Sequence, residues 1–267
     1  MKNRQDSEKM EAKKLARILH AKSHAQFTEG KAKALDFILR GVGNRVACAM
    51  LLSDNAMANG IVDWFENHSI EGLRQHFYVA AKLDQFWYPL NTQPFSPPGN
   101  FLQLLTPLIS NDRTLIEWFI NYDAAYDISR VENHKTKDFF AYQAIVALRG
   151  DWARLLARCE KVMSDPPGAS REQKYLIDHQ FYYALAKGDI NGMKAALEDI
   201  SALKIVRSRH DDESGVTEDL IFTPAVIYSK IAWWHGYEVQ IDSPFIPSEW
   251  LPMEPLPVYN KVYSFLD

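Results

Sequence analysis

Apolar residues recur along this chain at helical spacing for most of its length, and the breaks between the runs carry residues that start and stop helices. From residue 5 to about 88 the pattern predicts four helices, with polar interruptions at Ser53-Asp54-Asn55 and His68-Ser69. The first, about 6 to 26, is lysine-rich with a thin apolar stripe of Leu15, Ile18 and Leu19, so it is expected to lie on the surface of the others, its charges forming a solvated face. Gly41-Val42-Gly43 falls inside a helical pattern with no strand before it, which points to close helix packing rather than phosphate binding.

Between residues 89 and 99 the prolines Pro94, Pro97 and Pro98 and Gly99 predict a loop joining two helical blocks, 1–88 and 100–267. Its neighbours Phe86, Trp87, Tyr88, Phe95 and Phe101 are so apolar that the loop is expected to be packed down, making residues 1–267 one helical body.

The central region repeats a corner. Asp112 opens a helix with Leu115, Trp118, Phe119 and Tyr122 on one face; Asp151 opens another with Trp152, Leu155, Leu156, Cys159, Val162 and Met163; Asp189 opens a third with Ile190, Met193, Leu197 and Ile200. Ala147-Leu148-Arg149-Gly150-Asp151 and Ala184-Leu185-Ala186-Lys187-Gly188-Asp189 each place a glycine to end one helix and an aspartate to cap the next. The three aspartates lie 39 and 38 residues apart, the unit length of several helical repeats, so the expected fold is all-α: stacked helical hairpins in an α-solenoid-like body. Ser170-Arg171-Glu172-Gln173 has the form of a capping box that starts the helix bearing Ile177, Phe181, Ala184 and Leu185.

Thr217 to His235 reads as a further helix, with Pro224 near its start and Gly236 as its stop. Tyr237 to Ile241 then alternates like a short strand. Ser243 to Tyr259, with five prolines among Phe245, Trp250, Leu251, Met253 and Leu256, must be an extended tail whose apolar side chains need cover.

Composition narrows the function. The chain has 267 residues, 47% of them hydrophobic, and a formal net charge of -4. No general basic field would attract nucleic acid or anionic lipid. Cys48 and Cys159 are far apart and read as buried free thiols of a reducing compartment. Met1 to Lys14 alternates charges with no apolar run behind it, unlike a signal peptide, and no stretch is long and apolar enough to span a membrane, so a cytoplasmic protein is expected.

The common catalytic grammars are missing: no GxSxG, Walker loop, GxGxxG after a strand, or HExxH. No enzyme activity and no cofactor are expected. Asp123 and Asp127 would share a helix face, as carboxylate metal sites do, but with no second acidic or histidine-bearing helix to complete a site they read as a solvated acidic face. His20 and His24 at i, i+4 read as a solvated pair, and His235 as structural, set against the negative end of its own helix. The run Arg207-Ser208-Arg209-His210-Asp211-Asp212-Glu213 reads as a charged loop. Its Arg207, Arg209, Asp211, Asp212 and Glu213, together with Asp123 and Asp127, are the candidate partner-binding residues, because charged loops on a rigid scaffold steer association.

Ala225 to Val239, with Trp233-Trp234-His235-Gly236-Tyr237, followed by Asp242-Ser243-Pro244-Phe245-Ile246-Pro247-Ser248-Glu249-Trp250-Leu251-Pro252, resembles the end of the bacterial immunity protein 49 family. The two Gly-Asp corners resemble that family too, and the similarity runs from about residue 30 to the end, strongest from 140 onward. The resemblance implies an all-helical antitoxin that neutralises a toxin passed between competing bacteria, typically by a specialised secretion system. It implies a cognate protein toxin encoded by an adjacent gene and, for a protein kept in the cytoplasm, a toxin acting there, such as a nuclease or a nucleotide-consuming enzyme. Two other classes fit the residues: a helical scaffold or adaptor for another protein, and a metal-dependent helical enzyme using Asp123 and Asp127. Neither an oligomeric state nor a contact surface can be read from the sequence.

Overall fold

The computed structural model describes residues 2–92 and 96–266, with the backbone alone at 2–7, 98, 170 and 171. Pro94 and Phe95 of the expected loop lie outside the described residues. Every regular element among those described is helical and none is a strand, as the apolar periodicity predicts. The α-helices are α1 (Lys2–Ala25), α2 (Thr28–Arg40), α3 (Arg45–Phe65), α4 (Ile70–Trp87), α5 (Pro97–Leu102), α6 (Leu105–Ser110) and α7 (Arg113–Asn121). They continue as α8 (Lys137–Leu148), α9 (Trp152–Ser164), α10 (Ser170–Gln173), α11 (Leu176–Lys187), α12 (Ile190–Ile200), α13 (Leu203–Ser208) and α14 (Thr223–Trp234).

Four helices precede residue 88, but their breaks differ from the expected ones. Ser53-Asp54-Asn55 does not interrupt a helix; it lies inside α3. Its polar atoms are used by neighbours: Ser53 Oγ donates to Ala80 O of α4 at 3.3 Å, and Asn55 Nδ2 donates to the last carbonyls of α1, His24 O and Ala25 O, at 2.7 and 3.1 Å. The actual break is Gly41-Val42-Gly43, which turns the chain between α2 and α3 instead of packing helices closely; Asn44 then caps α3 by accepting from Ala47 N. The stripe expected to seat α1 also turns partly outward. Ile18 and Ala21 face the core while Leu15 and Leu19 are exposed, because α1 is tied down by polar contacts: Arg17 to Gly215 O and Glu218, and Lys13 to Asp219 at 3.2 Å.

The predicted corners form. Asp112, Asp151 and Asp189 each cap the following helix by accepting from the backbone N–H three residues on. Gly150 and Gly188 take φ of +69° and +66°, a left-handed conformation that a residue with a Cβ adopts only at a cost. α9, α11 and α12 follow one another as packed neighbours. α14 departs from a one-dimensional stack, in which each unit touches only the next, by lying against α5, α6, α8 and α12 together. Its residues Thr223 to Ala232 are all buried, as are Asp138 to Leu148 of α8, so these two helices form the centre around which the rest packs. α14 begins at Thr223, six residues later than expected, with Pro224 in its first turn, where a missing N–H costs nothing. Upstream, Ser170 does not cap a long helix: Ala169 is the N-cap of the single turn α10, and the long helix starts at Leu176. The expected 89–99 loop is shorter too, since Pro97 opens α5.

Residues 237–241 form no strand. They carry no regular structure and are held by a side chain, Trp233 Nε1 donating to Val239 O at 3.0 Å; further on, Phe222 N donates to Phe245 O at 2.9 Å. The proline-rich tail finds the cover its composition demanded. Phe245, Ile246, Trp250 and Leu251 are buried, and Trp250 meets the rings of Trp64, Phe65 and Phe77 edge-on at 6.0, 6.5 and 6.1 Å. Tyr259 stacks on Tyr78 at 4.4 Å, and Gln75 and Asn260 exchange hydrogen bonds of 3.1 and 2.9 Å. The C-terminal tail thus packs on α3 and α4 of the N-terminal block, and buried apolar residues of both blocks form one contiguous cluster.

Trp250→Ala removes a fully buried ring from the joint between tail and N-terminal block and is expected to cost about 3–5 kcal/mol of unfolding free energy. Urea denaturation followed by circular dichroism checks this; a loss below about 1 kcal/mol would show that the tail contributes little to the body's stability.

Candidate functional site

The charged run 207–213 is not a uniformly solvated loop. α13 ends at Ser208 and a 3-10 turn covers His210–Asp212, so the chain folds back on itself and side chains alternate in and out. Arg207, His210 and Asp211 are exposed, whereas Arg209 is wholly buried. Its Nη1 donates to both oxygens of Asp178 on α11 at 2.9 Å, its Nε donates to Asp212 Oδ2 at 2.7 Å, and Tyr175 OH donates to Asp212 Oδ1 at 2.8 Å. Arg209 and Asp212 therefore offer no free surface; they are the internal clamp that fastens this segment to α11. Glu213 points inward as well. Its carboxylate accepts from Thr217 Oγ1 at 2.7 Å and from Thr223 N and Oγ1 at 2.6 Å each, holding the first turn of α14. Burial raises its pKa to about 7 against the opposing pull of those donors.

Asp123 and Asp127 do not share a helix face. Asp123 sits in a 3-10 turn, Asp123–Ala125, after which Tyr126 is extended and the helical register is lost. Asp123 Oδ1 accepts from Arg149 Nη2 at 2.7 Å and Tyr142 OH at 3.0 Å, while Asp127 caps its own turn through Ser129 N and Oγ at 3.0 and 2.6 Å. That hydrogen bonding to Ser129 lowers the Asp127 pKa. Among the described residues no group of three or more His, Cys, Asp or Glu side chains is arranged to hold a metal ion. His235 is structural, but at a different helix from the one expected: its Nε2 lies 2.8 Å from Ala147 O, and Trp234 Nε1 donates to Leu148 O at 3.2 Å, so the end of α14 caps α8. Cys159 is buried and Cys48 half-buried, and both are free; burial pushes the Cys159 thiol up to about 12.

A pocket of about 180 Å³ opens elsewhere, between α3, α4, α5, α6 and the segment leading into α14. Met50, Met57, Leu102 and Leu105 give it apolar walls; Ser53, Thr106, Thr217 and Thr223 add hydroxyls; Asp54 and Asp84 supply carboxylates. No Lys, Arg or His is among its described lining residues. Asp84 is 5% exposed, and its Oδ1 accepts from Trp87 Nε1 at 2.9 Å while Thr106 Oγ1 approaches Oδ2 at 3.4 Å. Complete burial raises its pKa to about 7, against the pull of its hydrogen bonds from Trp87, Ser53 and Thr106, with the like charge of Asp54 pushing it further up. Asp54 reaches solvent, and its pKa is also raised, by desolvation, with nearby His24 opposing.

This pocket was not among the sites read from the sequence. The usable signal was Ser53-Asp54-Asn55 itself: polar residues within an apolar helix run mark either a break or polar groups bonded to neighbouring helices, and here Ser53 and Asn55 are buried and bonded while Asp54 reaches solvent. Asp84 gave a weaker signal, as an acid on an apolar stretch of α4.

Residues 137–250 match the model of a family described as Immunity protein 49, the family whose end the tail resembles. The match runs from the start of α8 to Trp250, so it includes both corners, α14, Arg209, Glu213 and the Ser214, Thr217 and Thr223 wall of the pocket, but not Asp54 or Asp84. No curated protein and no solved structure matches the chain.

Arg209→Ala strands Asp178 and Asp212 without their cation and is expected to cost about 3–5 kcal/mol, whereas Arg207→Ala, two residues away but exposed, is expected to stay within about 0.5 kcal/mol. Urea midpoints of the two variants test the contrast, which vanishes if the run is one solvated loop. Asp84 predicts a pH signature. Its folded pKa lies above the ordinary value near 4, so the stability it contributes is complete below about pH 4 and is lost as pH rises through about 7, at up to about 1.4 kcal/mol per pH unit. Asp84→Asn removes this slope, so its stability relative to the parent should rise between pH 5 and 8; a constant difference would contradict the burial of the acid.

Proposed function

We propose that this chain is an immunity protein that binds and neutralises a cognate protein toxin, without catalysing a reaction itself. The observation that carries the reading is the family match over residues 137–250, which spans the central helix α14 and the start of the tail as far as Trp250. The geometry is compatible with it. The cations Arg209 and Arg149 are engaged by acids of the same chain, Asp178 and Asp212 for the first and Asp123 for the second, and so hold the fold together. A rigid helical body of this kind presents a preformed surface, which lowers the ordering cost of binding a partner.

The toxin is encoded beside this chain and acts in the cytoplasm, where the two meet. No helix among the described residues is long and apolar enough to cross a membrane, which agrees with that setting. Of the residues first considered for contact, Arg207, Asp211, Asp123 and Asp127 reach solvent. Arg207 and Asp211 flank the buried clamp at Arg209 and are the ones proposed to steer the encounter, an effect that changes the association rate more than the dissociation rate.

Co-expression with the product of the neighbouring gene tests the proposal. Survival of cells that otherwise die, together with co-purification of the two chains, is the expected outcome. A harmless neighbour, or a toxic one that neither binds nor is neutralised, would overturn it.

A further inference from the structure

We infer that the pocket between α3, α4 and α6 receives one basic side chain, an arginine or lysine projecting from a protein partner. The volume sets the scale of the occupant. About 180 Å³ corresponds to about six waters at ~30 Å³ each and falls short of the ~300 Å³ at which pockets begin to take drug-sized ligands. One long side chain fits it.

The lining sets the chemistry. Met50, Met57, Leu102 and Leu105 form apolar walls suited to an alkyl stem, and methionine adapts its shape to what it covers. Asp84 is buried and Asp54 is exposed, so a cation entering the pocket passes one carboxylate and meets a second. Asp84 is the buried acid of the lining. An ionised carboxylate has about four acceptor sites; Asp84 accepts from the Trp87 indole N–H and from the hydroxyls of Thr106 and Ser53, and among the described residues no cation is paired with it. Three other buried acids do have a cation, Asp178 and Asp212 sharing Arg209 and Asp138 meeting Arg130 at 2.9 Å, while Glu213, like Asp84, is held by neutral donors. A buried carboxylate without a cation is costly, and a partner's guanidinium or ammonium would offset that cost by adding charge-assisted hydrogen bonds. Behind the pocket wall, the Glu213 carboxylate holds the hydroxyls of Thr217 and Thr223 in place without occupying the space.

The inference rests on the chain acting as a protein-binding module, but its first test uses the purified chain alone. With methionines labelled at the methyl carbon, titration with N-acetyl-arginine methylamide and with its lysine counterpart should shift the Met50 and Met57 resonances saturably and leave Met163, on exposed α9 surface, unmoved. N-acetyl-leucine methylamide, which has the stem without the charge, should do neither. Asp84→Asn should weaken the cation response at least tenfold. Met57→Trp, which fills the pocket and keeps both acids, should abolish it, with the unchanged Met163 signal reporting that each variant is folded. No saturable shift with either cation, or equal binding by Asp84→Asn, overturns the inference. So does co-purification of the toxin unaffected by both variants: the pocket is then not a partner contact, while the proposed function stands. Failure of the parent chain to capture the toxin strikes the proposed function instead.

Discussion

Lys230 is wholly buried on the central helix, and an ammonium in a dry core must find acceptors for its three protons. It finds Asn111 Oδ1 at 2.5 Å and the carbonyls of Trp250, Leu251 and Pro252 at 3.2, 3.1 and 3.5 Å. Burial pulls its pKa well below the usual lysine value, which measures how much the site asks of those oxygens. Asn111, left-handed between α6 and α7, also donates to Pro252 O and Glu254 O at 3.0 Å each. One cation and one amide therefore bind the tail, the α6–α7 turn and α14 together. The proline-rich tail, expected to be extended, has only one short 3-10 turn, Ser248–Trp250, as regular structure, and the carbonyls of Trp250, Leu251 and Pro252 at its end and just beyond are satisfied from the core outward. Once the tail is held there, Trp250 and Tyr259 reach α3 and α4, and the N-terminal block is tied in.

The same economy governs the arginines. Arg209 clamps the 209–213 turn to α11. Arg149 reaches the end of α7 through Ile120 O at 2.7 and 3.1 Å, and Arg158 holds Val131 O and Phe139 O at 2.9 and 3.0 Å while lying 3.7 Å over the Phe139 ring. Each bridges an irregular segment or a helix end to a neighbouring helix through backbone carbonyls or acids, which is what a planar five-donor fork does well. Part of the charge that looks like a binding surface in the sequence, Arg209, Asp212 and Glu213, is consequently turned inward. At the pocket, by contrast with Asp178 and Asp212, the buried Asp84 has no cation among the described residues as its partner.

Helix content, the three aspartate caps, the two glycine corners and the need to cover the tail's apolar residues were all legible in the chain order. They rest on local rules: a 3.6-residue period, a side-chain oxygen three residues before an orphan N–H, a backbone φ that glycine adopts without strain. The C-terminal resemblance was legible for a related reason, since Trp233, Trp234 and the proline spacing are contiguous. Ser53-Asp54-Asn55 was misread as a break because locally a buried polar face and a turn look alike; only the presence of α1 and α4 on either side tells them apart.

What the sequence by itself determined is the all-helical class, the three aspartate caps with their two glycine corners and the demand for a covered tail, because those depend on neighbours within a turn or two. Which face of each element is inside was decided by the tertiary structure. Arg209 and Arg207 differ by two residues in a charged run, yet one is buried against Asp178, 31 positions away, and the other is in water. Lys230 is a core residue because Asn111 and the tail converge on it, and Asp54 and Asp84 share a pocket because α3 and α4 pair. Contacts between distant residues set burial, burial sets the cost of a charge, and that cost separates a structural ion pair from an acid that waits for a partner.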